Sequence, residues 1–456
     1  MAAIKVIVQS QVSPQPASVD EASLPLSFFD LIWLHADPVE RIFLFPFPHS
    51  TSHFISATLS AIKSSLSLAL FRFFPLAGRI RRSPADSDQF EIHYVDGDSV
   101  SFTVAELVDG AHFADLVGSH ERDIAKYLPL IPRLGKSGED RLLLALQLTL
   151  FPGHGLTVGV TLHHAACDGS MSMLFLRTWA AFCRSALLST KEAPPPPPSL
   201  DRTTVLADPR SHSLYAIILK SFSGSENPLP HLAGDESSSM DLVCATFTLT
   251  RDDINSLKEL AMARDAANGG GNVSFHCSTI VVAYAYAWVC LVRAGGYSRD
   301  GIAHVVFAAD CRARLKPPVP AGCFGNFLAP CMSKHKLDAL INEEDGFVVA
   351  SAAIGGAVEE FKEDPLKGAE EWMEKLKELG TKHPMSVAGA PKFKVYDIDF
   401  GWGKPAKVEV PSIGKTGAIS VAESRDEEGG VEIGVILPKR QMEDFNAQFC
   451  KGLKFV

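Results

Sequence analysis

The stretch LTVGVTLHHAACDGS, residues Leu156 to Ser170, decides how the chain is interpreted. Apolar residues alternate with small or polar ones over its first half, which predicts a half-buried β-strand. His164 falls where that strand stops, and Asp168 precedes a segment with helical spacing whose expected N-cap is Ser170. A neutral imidazole at a strand end can accept a proton from a bound hydroxyl or amine. His164 is therefore the candidate general base.

The segments on either side predict a strand, a turn and a helix around this base. Leu142 to Leu150 also has the pattern of a strand, and Pro152 to Gly155 supplies the turn residues of a hairpin. Helical spacing runs from Gly169 to Arg184. The spacing His-x-x-x-Asp is weak by itself, and Asp168 has two candidate roles. It either holds the imidazole in one tautomer or pairs with an arginine from elsewhere.

Composition limits the classes of protein. The 456 residues exceed the size at which one core usually stops growing, so two domains are expected. A net charge of −10 argues against a nucleic-acid partner. We find no apolar run long enough to span a bilayer and no signal peptide, so we expect a cytoplasmic protein. Nine cysteines without zinc spacing indicate reduced thiols and no metal site.

Five consecutive prolines between Lys191 and Ser199 mark the clearest linker. We therefore divide the chain into an N-terminal domain (1–190) with the histidine motif, a crossover linker (191–214) and a C-terminal domain (215–456). Weaker loop signals occur at Ser221 to Ser239 and at Gly269 to Gly271.

A second motif makes the interpretation specific. HHAACDG together with DFGWGKP, Asp399 to Pro405, resembles the BAHD acyltransferases of plants, which move an acyl group from a coenzyme A thioester to an alcohol or amine. Further stretches agree with that family along nearly the whole chain: PLSFFDLIWL (Pro25 to Leu34), FFPLAGRI (Phe73 to Ile80), DRTTVLADP (Asp201 to Pro209), STIVVAYAYAWVCL (Ser278 to Leu291) and DCRARLKPPVPAGCFGN (Asp310 to Asn326).

Two stretches resemble one branch of that family, the malonyltransferases of flavonoid and phenolic glycosides. They are Asp310 to Asn326 and the ending SVAESRDEEGGVEIGVILP, Ser420 to Pro438, which also predicts a hairpin turned by Asp426 to Gly430. The chain departs from the branch pattern at Cys323, where tyrosine is usual, and at Phe327, where cysteine is usual.

The resemblance implies an α/β fold of two chloramphenicol-acetyltransferase-like domains, with mixed sheets flanked by helices and a substrate channel between the domains. It also implies some exchange of segments between the halves. The expected reaction transfers an acyl group from malonyl-CoA to a hydroxyl of a flavonoid or phenolic glycoside. Two alternatives stay open: a hydroxycinnamoyl-CoA-dependent transferase acting on an amine, organic acid or sugar, and a non-catalytic binding protein with the same fold. We expect a monomer with no tightly bound cofactor, and no membrane partner.

The resemblance also implies roles for residues outside the first motif. Asp399 and Trp402 join His164 as candidate catalytic residues. A turn that caps its own backbone suits Asp399 as well, and Trp402 is either an oxyanion donor or a packed aromatic. Asp168 is expected to pair with Arg312 of the DCRAR stretch.

Four residues are candidates for substrate binding. Ser278 and Thr279, at the start of an apolar helix, are candidates to bind coenzyme A or only to cap the helix. Arg177 is the candidate cation for a malonyl carboxylate, with an exposed helix arginine as the alternative. His35 resembles the pocket-lining position of the family, and a turn histidine is equally plausible.

Overall fold

The computed structural model describes residues 4–15, 19–108, 113–137, 140–191, 193–222, 241–268, 275–296 and 300–454. The strands of these residues are β1 (Ile4–Val12), β2 (Ala22–Pro25), β3 (Val39–Pro46), β4 (Arg79–Arg82), β5 (Phe90–Tyr94), β6 (Val100–Leu107), β7 (Arg122–Asp123), β8 (Lys136–Ser137), β9 (Asp140–Leu142), β10 (Leu144–Phe151), β11 (Gly155–Leu162), β12 (Leu242–Leu249), β13 (Ile302–Asp310), β14 (Leu328–Lys336), β15 (Met385–Ala388), β16 (Lys407–Glu409), β17 (Ala418–Glu423) and β18 (Val431–Pro438).

The helices of the described residues are α1 (Phe28–Leu31), α2 (Thr51–His53), α3 (Leu59–Arg72), α4 (Phe113–Leu116), α5 (Gly169–Leu188), α6 (Thr203–Leu206), α7 (Pro209–Ser221), α8 (Arg251–Asn268), α9 (Thr279–Ala294), α10 (Leu337–Ile341), α11 (Gly346–Glu363), α12 (Trp372–Gly380), α13 (Ile413–Thr416) and α14 (Lys439–Leu453). A π-helical turn, Phe54–Thr58, joins α2 to α3.

Two mixed sheets form the centres of the two domains. The N-terminal sheet has the order β1-β6-β10-β11-β3-β16, and the C-terminal sheet has the order β14-β13-β15-β17-β18-β12-β7. In the first, only β6 and β10 are parallel neighbours; in the second, β15 runs parallel to both β13 and β17. A smaller antiparallel sheet, β2-β5-β4-β9-β8, belongs to the N-terminal half.

Each sheet borrows a strand from the other half of the chain. β16 adds to the edge of the N-terminal sheet by pairing with β3, and β7 adds to the edge of the C-terminal sheet by pairing with β12. The expected exchange of segments is therefore present. Because exposed strand edges invite unwanted pairing, the exchange also covers one edge of each sheet.

Apolar side chains form a core in each domain and a third cluster between them. The N-terminal core lies between its sheet and helices α3 and α5, and the C-terminal core surrounds α9. The third cluster joins Ile42 and Leu44 of β3 to Cys244 and Ile436 of the C-terminal sheet. The two sheets are thus held together by apolar packing.

The predicted end of the linker falls inside a helix. The boundary between residues 214 and 215 lies within α7, whose Leu214 and Ile218 are buried in the N-terminal core. The crossing to the C-terminal half therefore comes after Ser221. The loop signals at 223–239 and Gly269 to Gly271 lie outside the described residues.

The helical stretch Thr51–Arg72 is long and apolar enough to cross a membrane by length and composition, with 39% of its apolar window buried. The prediction that the chain has no such run was wrong in this respect. In the structure the stretch is a core helix, because Ile62, Leu66 and Leu70 lie buried against the N-terminal core.

Candidate active site

The predicted hairpin and helix deliver His164 as expected. β10 and β11 pair antiparallel from Leu144–Leu162 to Phe151–Gly155, and α5 begins at Gly169. Two details differ from the prediction. Every residue of β11 is buried, so both faces of the strand are covered, and β10 and β3 flank its two edges. The N-cap of α5 is Asp168, not Ser170, since the Asp168 carboxylate accepts a hydrogen bond of 3.1 Å from the backbone N–H of Met171.

His164 lies against an aromatic wall. The Trp33 indole stacks on its imidazole with ring centroids 3.9 Å apart and planes 13° apart. Nδ1 of His164 is buried and has no hydrogen-bond partner among the described residues. Burial lowers the pKa of His164 to about 4, against smaller opposing effects of nearby polar groups. The imidazole is therefore neutral near pH 7, as a general base requires.

Asn326 holds the backbone at His164. Its side-chain amide donates to the His164 carbonyl at 2.9 Å and to the carboxylate of Asp30 at 3.1 Å, and its backbone N–H donates to the same carboxylate at 2.8 Å. Asp30 is in turn paired with Arg202, and all three side chains are buried. Gly325 is required beside them, because a Cβ there would lie 2.9 Å from the Arg202 guanidinium.

The predicted pair between Asp168 and Arg312 is present. Nη1 of Arg312 lies 2.7 Å from the Asp168 carboxylate, and its Nη2 donates to the carbonyls of Cys323 and Gly325 at 3.1 Å. Both charged side chains are almost fully buried. Asp168 therefore does not hold the imidazole. It caps α5 and ties the histidine loop to the β13–β14 connection.

Two neighbours of His164 have no direct part in the proton transfer. His163 is buried, and its Nδ1 accepts a hydrogen bond of 3.3 Å from the Ala165 backbone; burial lowers its pKa to about 3. The Cys167 thiol is fully buried, and burial raises its pKa well above the ordinary value. A thiol that stays protonated is a poor nucleophile, so an acyl-enzyme at Cys167 has no support.

A cavity of about 370 Å³ lies between the two domains and reaches His164. The N-terminal half contributes Trp33 and Arg41, and the C-terminal half contributes β13, β15 and the stretch 388–393. Most of the lining is apolar. A volume of this size is typical of small-molecule sites, and apolar walls strengthen electrostatic interactions inside.

His35 lies where this cavity meets a second, larger cleft. It lines both spaces, and the cleft of about 1320 Å³ carries charged side chains including Arg81, Asp88 and Arg141. Burial, followed by the charge of Arg141, lowers the pKa of His35. The structure thus brings His35 and His164 to one connected space, as an acceptor-pocket residue requires.

Asp399 does not line this cavity. Its carboxylate accepts hydrogen bonds from the backbone N–H groups of Gly401 at 2.7 Å and Gly403 at 2.9 Å, and it lies 3.7 Å from the Arg184 guanidinium on α5. This is the geometry of a carboxylate that caps its own turn. A direct catalytic role for Asp399 has no support from its position.

Trp402 is likewise outside the cavity lining. Its ring packs edge to face against Phe45 and Phe47 of the β3 region and stacks on Phe400 with centroids 5.4 Å apart. Nε1 is buried without a partner among the described residues. The indole is thus a packed aromatic.

The predicted coenzyme residues lie at two other places. Ser278 caps α9 by accepting a hydrogen bond of 3.3 Å from Val281, and the Thr279 hydroxyl accepts one of 3.0 Å from Lys258. Arg177 of α5 donates to the backbone carbonyl of Phe393. None of the three predicted residues lines the cavity, although Phe393 does. A contact with coenzyme A at Ser278 or Thr279 stays a prediction.

The two departures from the malonyltransferase pattern lie behind the cavity wall. Cys323 is buried with its thiol toward the Asp201 carbonyl at 3.3 Å, and Phe327 lies under the Arg312 guanidinium at 4.5 Å. Neither side chain lines the cavity. These departures therefore lie in the packing near the Asp168–Arg312 pair and outside the cavity lining.

Sequence reasoning missed Trp33, Arg41 and Asn326. Trp33 and Asn326 stood inside quoted stretches, so their motif membership was a signal, but their approach to His164 depends on segments far apart in sequence. The sequence carried one signal for Arg41, because it is a basic residue next to Glu40 at the start of an apolar strand, VERIFLFP. Among the described residues, no three His, Cys, Asp or Glu side chains are grouped as a metal site.

Comparisons with known proteins agree with this geometry. The family described as the transferase family matches residues 2–451. The chain is 35% identical to phenolic glucoside malonyltransferase 2 of Arabidopsis thaliana over 99% of both chains, and 33% identical to malonyl-coenzyme A:anthocyanin 3-O-glucoside-6''-O-malonyltransferase of Dahlia pinnata over 99% of this chain and 98% of the other. It is 32% identical to a coumaroyl-CoA:anthocyanidin 3-O-glucoside-6''-O-coumaroyltransferase of Arabidopsis thaliana, over 99% of this chain and 97% of the other.

A solved structure also matches the fold. The crystal structure of vinorine synthase superimposes with a TM-score of 0.71 over 98% of each chain at 23% identity, which confirms the two-domain α/β architecture. The family match, the relatives and the base at the interdomain cavity lead to one conclusion. The chain belongs to the BAHD branch of the transferase family and is an acyl-CoA-dependent acyltransferase.

Proposed function

We propose that this enzyme transfers a malonyl group from malonyl-CoA to a hydroxyl of a flavonoid or phenolic glycoside. The observation that carries the proposal is the space around His164: an apolar cavity that suits an acyl thioester and a charged cleft that suits a polar sugar share His35 as a lining residue. The malonyl donor and glycoside acceptor are those named for the relatives from Arabidopsis thaliana and Dahlia pinnata.

The reaction proceeds in a ternary complex. Nε2 of neutral His164 takes the proton of the acceptor hydroxyl as its oxygen attacks the thioester carbonyl. The tetrahedral intermediate then collapses and expels the coenzyme A thiolate, which takes the proton from the imidazolium. The stacked Trp33 ring supports that transient cation, because an aromatic face attracts positive charge. Holding both substrates in one interdomain space makes the attack effectively unimolecular.

The alternative donor is a hydroxycinnamoyl thioester. The 32% identical relative that uses coumaroyl-CoA favours it, and the predominantly apolar cavity walls accommodate an aromatic acyl group. The same base and the same steps serve both donors. Donor identity is therefore decided by what binds the end of the acyl chain.

The test is thiol release by the purified protein. We compare malonyl-CoA with p-coumaroyl-CoA over a panel of flavonoid and phenolic glucosides, with His164→Ala as the background. Glucoside-dependent release from malonyl-CoA that disappears in the variant supports the proposal. Preference for p-coumaroyl-CoA establishes the alternative, and absence of release with either donor contradicts both.

A further inference from the structure

Arg41 is a buried cation without an ionic partner. It lies on β3 with 8% of its surface exposed, and its Nε has no hydrogen-bond partner. Nη1 contacts only the thioether sulfur of Met173, at 3.1 Å, which is a weak acceptor. Among the described residues, no ion pair joins Arg41 to a carboxylate, although Glu423 acts on its charge from further away. A charge in this position is costly until an anion joins it.

Arg41 lies at the cavity that contains His164. Arg41 is one of its lining residues, and so are Gly169, Ser170 and Ser172 of the first turn of α5. Met173, which Arg41 contacts, lies one turn further along the same helix. The N-terminal turn of the 20-residue helix α5, which is the positive end of the helix dipole, therefore lines the same cavity as this cation. Both features favour a negative group at this corner.

The strand register places Arg41 near the base. Arg41 pairs in register with Val160 of β11, which lies four residues before His164. Four residues of extended chain span about 13 Å, and both Arg41 and His164 line the cavity.

We propose that Arg41 binds the free carboxylate of a dicarboxylic acyl donor such as malonyl-CoA, and so sets the acyl specificity of the enzyme. The inference rests on the proposed function, since it identifies the residue that would distinguish malonyl-CoA from other acyl donors. A guanidinium matches a carboxylate with two parallel hydrogen bonds, whereas acetyl and coumaroyl groups offer no charge at this position. Arg41 thereby replaces the cation expected from sequence.

Arg177 is less suited to this role in the structure. It lies one turn after Met173 on α5, but its guanidinium already donates to the Phe393 carbonyl and does not line the cavity. The Phe393 ring in turn lies against Gly169, where a Cβ would be only 2.6 Å away. Arg177 thus acts on the cavity only through Phe393, whose apolar ring offers no charge to a carboxylate.

The experiment measures donor selectivity in the full-length enzyme. We compare kcat/KM for malonyl-CoA and acetyl-CoA with one glucoside in the wild type, Arg41→Met, Arg41→Lys, Arg177→Met and Arg264→Met, an exposed arginine of α8 that serves as the matched control. Arg41→Met should lower kcat/KM for malonyl-CoA about 10- to 100-fold and leave acetyl-CoA within about threefold. Arg41→Lys should give an intermediate kcat/KM for malonyl-CoA, because lysine keeps the positive charge but loses the two parallel hydrogen bonds of the guanidinium.

Several outcomes overturn the inference. An equal loss for both donors in Arg41→Met means that Arg41 contacts the coenzyme or supports the fold, and a malonyl-specific loss in Arg177→Met alone assigns the carboxylate to Arg177. Dissociation constants of malonyl-CoA and acetyl-CoA, measured by calorimetry without acceptor, separate this question from the proposed function. If the wild type binds malonyl-CoA but does not transfer it, the proposed function fails. The inference is then tested by the ratio of the two dissociation constants, and a ratio in Arg41→Met equal to that of the wild type contradicts it.

Discussion

The histidine loop (163–169) and the Asp399–Gly403 loop use similar residues for different ends. Each contains an aspartate that caps backbone N–H groups and faces an arginine. In the first loop, the Asp168 carboxylate is taken up by the helix cap and by Arg312, and His164 lines the cavity. In the second, the carboxylate caps its own turn beside Arg184 of α5, and Trp402 packs against β3. Two motifs that identify a family equally well can therefore differ completely in whether they line the cavity.

The largest effect is expected at His164. His164→Ala should lower turnover about 10²- to 10⁴-fold, because general-base catalysis contributes that much, while the free energy of unfolding stays close to that of the wild type. Steady-state rates and urea unfolding measure both. His163→Ala is the paired control on the buried side of the strand: it should lose stability and keep most of its turnover. Comparable turnover in His164→Ala and His163→Ala would contradict the assignment of His164, and not His163, as the base.

Asp168 should show the reverse pattern. Asp168→Ala removes the cap of α5 and leaves the buried Arg312 with only the partly exposed Asp310, at 3.3 Å, as an ionic partner, so we expect a loss of about 3 kcal/mol in the free energy of unfolding. Thermal and urea denaturation check the value. Turnover per folded molecule near 4 °C should decline far less than in His164→Ala. A stable variant with no activity would instead give Asp168 a chemical role.

The second loop predicts a smaller change. Asp399→Asn keeps an oxygen that can accept from Gly401 and Gly403, whereas Asp399→Ala leaves these N–H groups without their acceptor. We expect Asp399→Ala to lose about 1–2 kcal/mol of stability and Asp399→Asn to lose less, with kcat/KM largely retained in both. If Asp399 takes part in the chemistry, Asp399→Asn will be inactive yet fully stable.

The smallest effect concerns pH. Burial lowers the pKa of His164 from its ordinary value near 6.5 to about 4, so kcat/KM should be level above pH about 5 and reach half of its plateau near pH 4. Folding stability follows the same sign. The unfolded chain binds the proton more readily, so the contribution of His164 is complete above pH 6.5 and is lost as the pH falls toward 4. An inflection in kcat/KM near 6.5 would show that burial does not govern the base.

Patterns local in sequence predicted much of the fold and of the site. Period-2 alternation and turn residues were enough for the β10–β11 hairpin and the Asp426 to Gly430 hairpin, because both depend on neighbours along the chain. Asp168, and not Ser170, is the N-cap, and its carboxylate is also held by Arg312, over a hundred residues away. Both residue types are good caps, so local preference alone had no means of choosing between them.

Features that depend on burial and long-range contact were out of reach. Arg41 is unusual only because the structure buries it without a carboxylate, and the strand that contains it reads as an ordinary core strand. The same limit applies to Thr51–Arg72, whose apolar composition fits a membrane helix as well as a core helix. Residue identity constrains what a side chain can do, and tertiary packing decides which possibility is used.

The strand exchange also bears on how the chain is made. β3 remains an open edge until β16, some 360 residues later in the sequence, has been synthesised. The sheet that supports His164 thus acquires its last strand only when most of the polypeptide exists, and long-range pairing of this kind slows folding. Cutting the gene at the proline segment would yield two fragments that each lack a strand of their own sheet, so coexpressed halves must find each other before either is complete.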